Sequence, residues 1–533
     1  MTYYKDLREY IEALEKRNLL WRIKSLVKKE TELMPVARWQ YRGLSEEQRR
    51  AFLFEDVTDQ KGRKYDIPVL VGALASSTAM CATALMCEPN EVVIRWSQGF
   101  LNPISPKLVA SGPVHEVVYV GDDLKILGLD EFPIPTGSPG LTGLVRTTDS
   151  HFFSKDPETK IRNVGDYAGH VHARDRMTVG IGADQHMAMH LRKAQERGES
   201  LPAALVVGVI PAVAYASVSK VPYETDELAV AGGLAGEPIE LVKCKTIDLE
   251  VPAGAEIVIE GEIATTFMEK NTGSFGEYTG FMSETHFCPV FNISCITHRK
   301  SPIFMAIMQE MPPSEGSKLN VIGNGAALYG FLKHDCNIPG ILDVAYHESS
   351  GGRAYCVIQL KKQHPAEAWQ ALNAAVGYTS SYGKIIIVVD NGIDPRDADA
   401  VNWALSTCVQ PHRDMRITMG KLAVLDPSVA PPGSTLKERS YPAPSGTSAL
   451  LIDATRKWDY MPISLPKREY MERAREIWEA EGLPELKPRL PWFGSSLGYW
   501  SDEYQEAAEF IVRGEGLQLS KKKHEVKEEF HLD

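Results

Sequence analysis

A group of residues in the middle of the chain carries side chains that could do chemistry together. Asn163 opens the segment NVGDYAGHVHARDRMTVGIGADQH, which ends at His186, and Glu224 follows in VPYETDE. Glu277 lies further on, in GSFGEYTG. Amide, imidazole and carboxylate groups form a ligand set that suits a divalent metal ion beside a phosphate. A carboxylic acid that does not bind the metal could then transfer a proton.

Glu277 stands between glycines and aromatic residues in SFGEYTGF. A carboxylate packed against aromatic walls has a raised pKa, so Glu277 could donate a proton. The pattern also fits a solvated glutamate in a turn, and both interpretations stay open at this point. His186 and His190 lie one helical turn apart, a spacing more typical of packing or surface histidines than of a zinc site.

Motifs and composition argue against several classes of function. No GxxxxGK[ST] or HExxH motif occurs, which disfavours a P-loop enzyme and a zincin. The net charge of −12 and the pI near 5.7 argue against a nucleic-acid groove. The eight cysteines form no CxxC pair, the N-terminus does not resemble a secretory signal, and no apolar run is long enough for a membrane span. We therefore expect a cytoplasmic protein.

The chain is long enough for more than one domain, with 533 residues of which 44% are hydrophobic. Leu7, Ile11 and Leu14 at helical spacing predict an amphipathic helix near the N-terminus. Many short β-branched segments over residues 114–310 predict a barrel-like β domain, and EIVIEGEI within it predicts a half-buried antiparallel strand. Alternating strand and helix signals after residue 311 predict an α/β unit.

We predict an α/β fold of the α+β multidomain type. The N-terminal α/β domain covers residues 1–113, the β domain 114–310, and the C-terminal α/β domain 311–465. Helices and a charged tail follow over residues 466–533. Proline-rich loops mark the first boundary, and the segment MPPSEG marks the second.

The order of the motifs resembles the UbiD family of decarboxylases. The matching segments are NVGDYAGHVH, VPYETDELAVAGGLAGEPIEL, EIVIEGEI, GSFGEYTGF, IDPRDADAVNWAL and LLIDATRKW. They cover nearly the whole chain, from the N-terminal helix to about residue 460. The resemblance implies a reversible, non-oxidative decarboxylase of aromatic or α,β-unsaturated carboxylic acids, with a central split β-barrel that binds a flavin.

The same resemblance implies prenylated FMN as the cofactor, held through its phosphate by a divalent metal ion, Mn²⁺ or Fe²⁺, and often K⁺. Loss of carbon dioxide from an sp² carbon leaves electrons with nowhere to delocalise, and the modified flavin accepts them. A flavin prenyltransferase would supply this cofactor. Members of the family assemble as homodimers or homohexamers, so we also expect a homo-oligomer.

The family motifs assign roles to individual positions of this sequence. The implied metal ligands are Asn163, His186 and Glu224. The residues implied to contact the flavin or its phosphate are these three with Gly165, Tyr167, Ala168, Gln185, Ser217, Ser219 and Lys457. Glu277 matches the acid that protonates the carbon from which carbon dioxide has left.

Two positions depart from the family pattern. The family places an arginine five residues after the metal-binding asparagine, where this chain has Ala168. It places a glutamate five residues before Glu277, where this chain has Thr272. Glu269 is a nearby substitute, but it is three residues out of register. An arginine that grips a carboxylate with two hydrogen bonds contributes strongly to its orientation, so the substrate must be held in another way.

A remote handle such as coenzyme A could position a substrate without that arginine. The altered network therefore makes the chain look similar to phthaloyl-CoA decarboxylases, and an aryl-CoA is the first expected substrate. A free aromatic or heteroaromatic acid is the next. Two other classes stay open, namely a non-catalytic subunit that keeps the fold and a metal-dependent hydrolase that uses His186, His190 and Glu224.

Overall fold

The computed structural model describes residues 2–182, 185–271, 273–421, 425–435, 438, 447–493 and 498–516. Its mixed α/β, multidomain architecture confirms the predicted fold class. Within these ranges, every helix falls short of the length or hydrophobicity that a bilayer crossing requires.

The N-terminal segment packs helices around a small sheet. The predicted amphipathic helix is present as Leu7–Lys16, capped by the side chain of Asp6, and it buries the three apolar residues that predict it. The other elements are the helices Leu33–Gly43, Thr78–Leu85 and Val92–Leu101, the 3₁₀ turns Glu46–Gln48 and Pro89–Glu91, and the strands Leu20–Ile23, Val27–Lys28, Ala51–Phe54, Val57–Thr58, Lys64–Tyr65, Val69–Val71 and Lys107–Leu108.

One strand of the N-terminal sheet comes from far along the chain. Phe304–Ala306 pairs in parallel with Val69–Val71 and completes a four-stranded sheet. The largest apolar cluster accordingly extends from Tyr3 to Ala326 and is shared by the N-terminal segment and the β region. The domain limits drawn from the sequence therefore stay a prediction.

The middle of the chain forms a nine-stranded sheet whose pairings are antiparallel. Its strands, in hydrogen-bonding order, are Arg162–Asp166, His151–Lys155, Leu201–Val207, Ile257–Lys270, Phe287–His298, Arg176–Gly180, Ala168–Ala173 and Arg146–Thr147, with Val117–Val120 paired to Phe287–His298. Two strands near opposite ends of this order, Arg162–Asp166 and Ala168–Ala173, are joined by Tyr167 alone. Because one residue spans only about 3.5 Å, the sheet must be rolled so that its ends lie side by side.

Helices and short elements cover the rolled sheet. They are the helices His186–Glu196, Pro211–Val218 and Glu227–Ala235, the 3₁₀ turns Pro113–His115, Gly121–Lys125 and Leu129–Glu131, and the strands Glu240–Lys243 and Glu250–Pro252, which form a three-stranded sheet with Lys107–Leu108. The strands Val27–Lys28, Val57–Thr58 and Lys64–Tyr65 form another small sheet.

The strand Ile257–Lys270 is more buried than its alternating pattern predicts. Glu260, expected on a solvent face, is fully buried. Its carboxylate accepts hydrogen bonds from the backbone N–H groups of Lys245 and Thr246 at 2.8 and 2.7 Å. Glu256, just before the strand, is also fully buried and lies 3.1 Å from a guanidinium nitrogen of Arg8. Polar groups with complete partners are tolerated in a core, so the half-buried prediction is wrong.

The C-terminal half contains a five-stranded sheet with helices around it. The strands, in hydrogen-bonding order, are Ile341–Tyr346, Tyr355–Leu360, Ile385–Asp390, Thr447–Ala454 and Met415–Lys421. The other elements are the helices Glu315–Gly330, Glu367–Tyr378, Ala398–Cys408, Pro411–Asp414, Arg468–Ala480 and Asp502–Val512, the π-helical turn Phe331–Asp335 and the 3₁₀ turn Glu348–Ser350. The three inner strands are parallel and the two edge strands antiparallel, so the predicted α/β unit is present. The charged tail lies outside the described residues from residue 517 onward.

Glu315 joins the N-terminal segment to the helix Glu315–Gly330. Its carboxylate accepts backbone hydrogen bonds from Leu74 at 2.7 Å and from Gly72 and Met308 at 3.0 Å each. The side chain is fully buried, and burial raises its pKa to about 7. This carboxylate therefore accepts hydrogen bonds from N–H groups just beyond the ends of two neighbouring strands, Val69–Val71 and Phe304–Ala306.

Replacing Glu315 by Gln should lower the free energy of unfolding by about 2 kcal/mol, because an amide N–H₂ then faces backbone donors that lose their acceptor. Thermal unfolding followed by circular dichroism measures the change. Glu12→Gln is the matched control, since Glu12 is exposed and pairs only with Lys16 at 3.8 Å. Equal unfolding midpoints for the two variants would contradict this role of Glu315.

Candidate active site

Asn163 and Tyr167 sit where the rolled sheet closes. Asn163, on the strand Arg162–Asp166, is 3% exposed, and its Nδ2 donates to the Tyr167 hydroxyl at 3.4 Å. The same hydroxyl accepts from the Met187 backbone N–H at 3.4 Å. Burial raises the pKa of Tyr167 to about 12, so the phenol stays neutral. A methyl group on Gly165 would lie 2.4 Å from the Tyr167 ring, so this position requires glycine.

His186 and Glu227 complete a polar group around Asn163. His186 is the first residue of the helix His186–Glu196, and its Nδ1 lies 3.5 Å from Oε1 of Glu227. The other carboxylate oxygen of Glu227 accepts from the Val164 backbone N–H at 2.9 Å. Burial raises the pKa of Glu227. An amide, an imidazole and a carboxylate thus converge from one strand and two helices.

Glu224, the glutamate that the sequence motif assigns to this group, is placed elsewhere. It is exposed, with a φ of 71°, in the turn before the helix Glu227–Ala235. Asp226 caps that helix by accepting from the Leu228 N–H at 2.9 Å, and the first helical residue is then Glu227. The glutamate that lies beside His186 is therefore Glu227, and the role of Glu224 as a metal ligand stays a prediction. The segment VPYETDE carries both glutamates. Asp226, a typical helix-capping residue, is the signal in the sequence that could have placed Glu227 at the start of the helix.

His190 does not join His186 in a metal site. Its Nδ1 lies 3.0 Å from the Ser154 hydroxyl, and its ring is buried. Among the described residues, no three His, Cys, Asp or Glu side chains come close enough to hold a metal ion, so an ion here needs the Asn163 amide as well. The hydrolase alternative, built on His186, His190 and Glu224, loses its ligand set.

The remaining residues implied to contact the flavin already have partners inside the protein. The Ser217 hydroxyl lies 2.8 Å from Nδ1 of His151, and the Ser219 hydroxyl accepts from the indole N–H of Trp96 at 3.0 Å. The Gln185 side-chain oxygen accepts from the Gly182 N–H at 2.5 Å, just before the helix. Their contacts with a cofactor stay a prediction.

A buried chain of polar groups runs beneath these serines. Nε2 of His151 lies 2.7 Å from Asp149, and Nδ1 faces Ser217. Burial alone lowers the pKa of His151, but the charge of Asp149 outweighs it and raises the pKa overall. Ser217 donates its own proton to the Ala214 carbonyl at 2.7 Å, so the arrangement is a buried ion pair and not an activated nucleophile. Burial also raises the pKa of the neighbouring Asp166 to about 6.

Glu277 lies in a tight turn beside the roll. Its N–H donates to the Phe281 carbonyl at 2.9 Å, and its carbonyl accepts from the Gly280 N–H at 2.9 Å. Burial raises the pKa of the Glu277 carboxyl, which the charges of Arg146 and Arg353 partly oppose. The structure therefore favours a raised pKa for Glu277, whose side chain is half-buried in the turn, and its role as a proton donor stays a prediction.

The C-terminal half supports this turn from outside. The Arg353 guanidinium carbon lies 4.3 Å from the centre of the Tyr278 ring and 5.1 Å from that of Tyr382. Gly351, at a φ of 67°, packs so closely that a methyl group there would lie 2.5 Å from the Tyr278 ring. Two halves of the chain therefore fix the position of Glu277.

Arg146 contacts the residues that lead into the Glu277 turn, and no motif in the chain identifies it. It is 8% exposed, and its guanidinium carbon lies 4.1 Å from the centre of the Phe275 ring. Its Nη2 donates to the Gly276 carbonyl at 3.3 Å and to the Gln309 side-chain oxygen at 3.2 Å. These contacts place a buried positive charge one residue from the turn glutamate.

Lys457 and Glu269 have partners of their own in the protein. The Lys457 ammonium donates to the carbonyls of Asp453 and Thr455, each at 2.7 Å, and its approach to the cofactor stays a prediction. Glu269 pairs with Arg176 at 3.4 Å. Thr272 lies outside the described residues.

Two family models match the chain. The UbiD model, described as the 3-octaprenyl-4-hydroxybenzoate carboxy-lyase Rift-related domain, matches residues 107–312. The UbiD_C model, the C-terminal domain of the same carboxy-lyase, matches residues 320–454. An uncharacterised protein of Aquifex aeolicus is 31% identical over 90% of this chain and 99% of its own length. One of Archaeoglobus fulgidus is 31% identical over 85% of this chain and 92% of its own.

Solved structures of decarboxylases are similar over nearly the whole chain. The UbiD-class enzyme HmfF of Pelotomaculum thermopropionicum, in complex with prFMN, is 30% identical, with a TM-score of 0.75, and the match covers 89% of this chain and 100% of that one. Vanillic acid decarboxylase of Sedimentibacter hydroxybenzoicus is 27% identical, with a TM-score of 0.77 and coverage of 90% and 100%. A 3,4-dihydroxybenzoic acid decarboxylase of Enterobacter cloacae is 26% identical, with a TM-score of 0.73 and coverage of 95% and 100%.

The two neighbouring glutamates offer a matched test of the metal-binding group. Glu227→Gln should lower the affinity for Mn²⁺ by about 10- to 100-fold, because it removes the charged ligand beside Asn163 and His186. Glu224→Gln, in the exposed turn, should leave the affinity unchanged. Manganese titration followed by electron paramagnetic resonance measures both, and loss of binding in Glu224→Gln alone would support the assignment from the sequence.

Proposed function

Because the chain belongs to the UbiD family of carboxy-lyases, we propose that it is a reversible, non-oxidative decarboxylase of an aromatic or α,β-unsaturated carboxylic acid. Prenylated FMN is the cofactor, and Glu277 is the proton donor. The observation that carries this proposal is the position of the Glu277 carboxyl in a half-buried turn, where burial raises its pKa although the charges of Arg146 and Arg353 oppose the shift.

The protein itself positions the substrate and the cofactor, excludes water from the site and delivers one proton. When bound, the prenylated flavin supplies the acceptor for the electrons that remain when carbon dioxide leaves. Glu277 protonates the carbon that has lost the carboxylate, and burial favours this because it raises the pKa of the carboxyl. The Tyr278 and Arg353 contacts hold the acid in place from the C-terminal half.

The group around Asn163 fits a divalent metal ion at the cofactor phosphate. Asn163, His186 and Glu227 offer amide, imidazole and carboxylate ligands, a set that suits Mn²⁺ or Fe²⁺. The His186 side chain is 23% exposed, so the group can be reached from outside. Three protein ligands leave positions for phosphate and water, and K⁺ beside the same phosphate belongs to this proposal. A flavin prenyltransferase supplies the cofactor.

The substrate is either an aromatic acid that also carries a coenzyme A thioester, or a free aromatic acid. Phthaloyl-CoA is the first compound of the former kind to test. Free aromatic and heteroaromatic acids are the second group. The presence of an acid with a raised pKa disfavours a non-catalytic subunit, since such a group has no structural use in the turn. Assay of both substrate groups with cofactor-loaded protein distinguishes them.

A homo-oligomer, a dimer or hexamer, also belongs to this proposal. The helix Arg468–Ala480 buries none of its residues against the rest of the chain, although it carries Ile477 and Trp478. An apolar surface of this kind is typical of an interface. All eight cysteines are free, which supports a reducing, cytoplasmic location.

Glu277→Gln should abolish decarboxylation while the flavin absorbance and the metal content stay unchanged, because the amide keeps the shape of the side chain and cannot donate an acidic proton. Turnover and exchange of the product's ring proton with deuterium measure the loss. Glu284→Gln, at an exposed glutamate seven residues along the same segment, is the control. Full activity in the Glu277 variant would remove the residue from this role.

A further inference from the structure

The strand pairing places Arg146 and His170 on one face of the rolled sheet. Arg146 is the direct cross-strand partner of His170, whose strand begins at Ala168. Side chains two residues apart in a strand share a face, so His170 and Ala168 point to the same side, and a long side chain at Arg146 reaches diagonally across to it. Ala168 itself pairs with Gly180, so only small groups lie at this position of the two strands.

The charge of Arg146 lacks a direct counter-charge. Both hydrogen bonds recorded for its guanidinium go to neutral acceptors, the Gly276 carbonyl and the Gln309 amide oxygen, at 3.3 and 3.2 Å. Burial lowers the pKa of Arg146, which shows how poorly the site solvates the cation. A buried cation without a contacting anion is costly, and it persists where a ligand supplies the anion.

A small cavity of about 10 Å³, enough for one water-sized group, lies beside this guanidinium. Arg146, Phe275, Gln309 and Glu310 line it. Glu310 adopts a φ of 75°, a strained conformation for a residue with a side chain, and its carboxylate lies 3.4 Å from a guanidinium nitrogen of Arg38. The carboxylate of Glu310 thus contacts Arg38, and it lies outside ion-pair distance of the Arg146 guanidinium.

His170 adds a second unsatisfied donor beside Arg146. The Asn271 side-chain oxygen accepts from the Thr178 hydroxyl at 2.7 Å, so its amide nitrogen faces Nδ1 of His170 at 3.2 Å. Nδ1 is therefore the acceptor and Nε2 carries the proton of the neutral ring. This fully buried Nε2 has no hydrogen-bond partner among the described residues. Burial lowers the pKa of His170 to about 3, so the ring is neutral.

Both donors contact the same aromatic ring. The His170 ring centre lies 5.0 Å from that of Phe275, and the Arg146 guanidinium carbon lies 4.1 Å from it. Phe275 and Gly276 lead directly into the Glu277 turn. An anion held by the two donors would therefore lie near the proton donor, against an aromatic wall.

We propose that Arg146 and His170 form the site that binds the carboxylate of the substrate, with Arg146 as the main donor and the Nε2–H of His170 as the second. The site takes planar carboxylates attached to an aromatic or unsaturated group, because Phe275 supplies the flat apolar wall. This inference rests on the proposed function for the identity of the substrate. The binding of an aryl carboxylate can be tested without any turnover.

The first experiment measures ligand binding by thermal unfolding of the full-length protein, with benzoate and its neutral isostere benzamide as probes at millimolar concentrations. Benzoate should raise the unfolding midpoint of the wild type, and benzamide should not. Arg146→Met should lose the benzoate effect, with an affinity decrease of about 10- to 100-fold. His170→Phe, which keeps the ring against Phe275, should lose about 10-fold.

The same experiment separates a ligand-binding arginine from a structural one. Without ligand, Arg146→Met should unfold at the same temperature as the wild type or higher, because it removes a buried charge that lacks an anion. Arg176→Met is the control, since Arg176 is a partly exposed residue of the neighbouring strand that pairs with Glu269. A midpoint that falls by several degrees in Arg146→Met, together with an unchanged benzoate effect, overturns the proposal. A wild type that benzoate does not stabilise also overturns it.

The second experiment uses cofactor-loaded protein and a substrate found by the assay above. Arg146→Lys and Arg146→Met should lower kcat/KM by about 100-fold or more with flavin and metal content unchanged, and the double variant Arg146→Met with Ala168→Arg should recover part of the loss. Benzoate binding that depends on Arg146, in a protein that decarboxylates no acid, would reject the proposed function and leave this carboxylate site standing. Decarboxylation that is unaffected in Arg146→Met would reject the carboxylate site alone.

Discussion

Tyr167 alone joins two strands that lie near opposite ends of the hydrogen-bonding order in the central sheet. This connection forces the sheet to roll, and the roll brings Asn163 on one strand close to the strand that begins at Ala168. The Tyr167 hydroxyl also ties Asn163 to the start of the helix that carries His186. The polar group formed by Asn163, His186 and Glu227 is therefore a consequence of one short connection.

Burial sets the electrostatic character of the site. The carboxyls of Glu227 and Glu277 have raised pKa values because each is removed from water. Their surroundings differ, however. Glu227 faces an imidazole and a backbone N–H, which favour the anion, whereas Glu277 faces the field of two guanidinium groups without a direct ion pair. One carboxylate is thus suited to bind a cation and the other to hold a proton.

Patterns of local spacing predicted much of the fold. The N-terminal helix and the C-terminal α/β unit follow from hydrophobic periodicity and from the alternation of strand and helix signals. The strand at Ile257 was placed correctly, but the burial of Glu260 was not. Its partners, the N–H groups of Lys245 and Thr246, come from a separate segment that no pattern in the strand itself reveals.

The same limit applies to the site. Glu224 and Glu227 are three residues apart, and only the cap formed by Asp226 decides which of them faces His186. Arg146 lies in a short strand without a recognisable motif, and its closeness to His170 depends on a strand register that the sequence does not display. Residue types and their local spacing can be read from a single sequence, whereas contacts between strands across a rolled sheet cannot.

The support of the Glu277 turn by Gly351 and Arg353 has a further consequence. These residues belong to the C-terminal half, so the low-dielectric surroundings of the acid exist only while the two halves are in contact. If the two halves moved apart, water would reach the carboxyl, its pKa would fall and a larger fraction of it would lose its proton. The supply of protonated acid in the site therefore depends on the contact between the two halves.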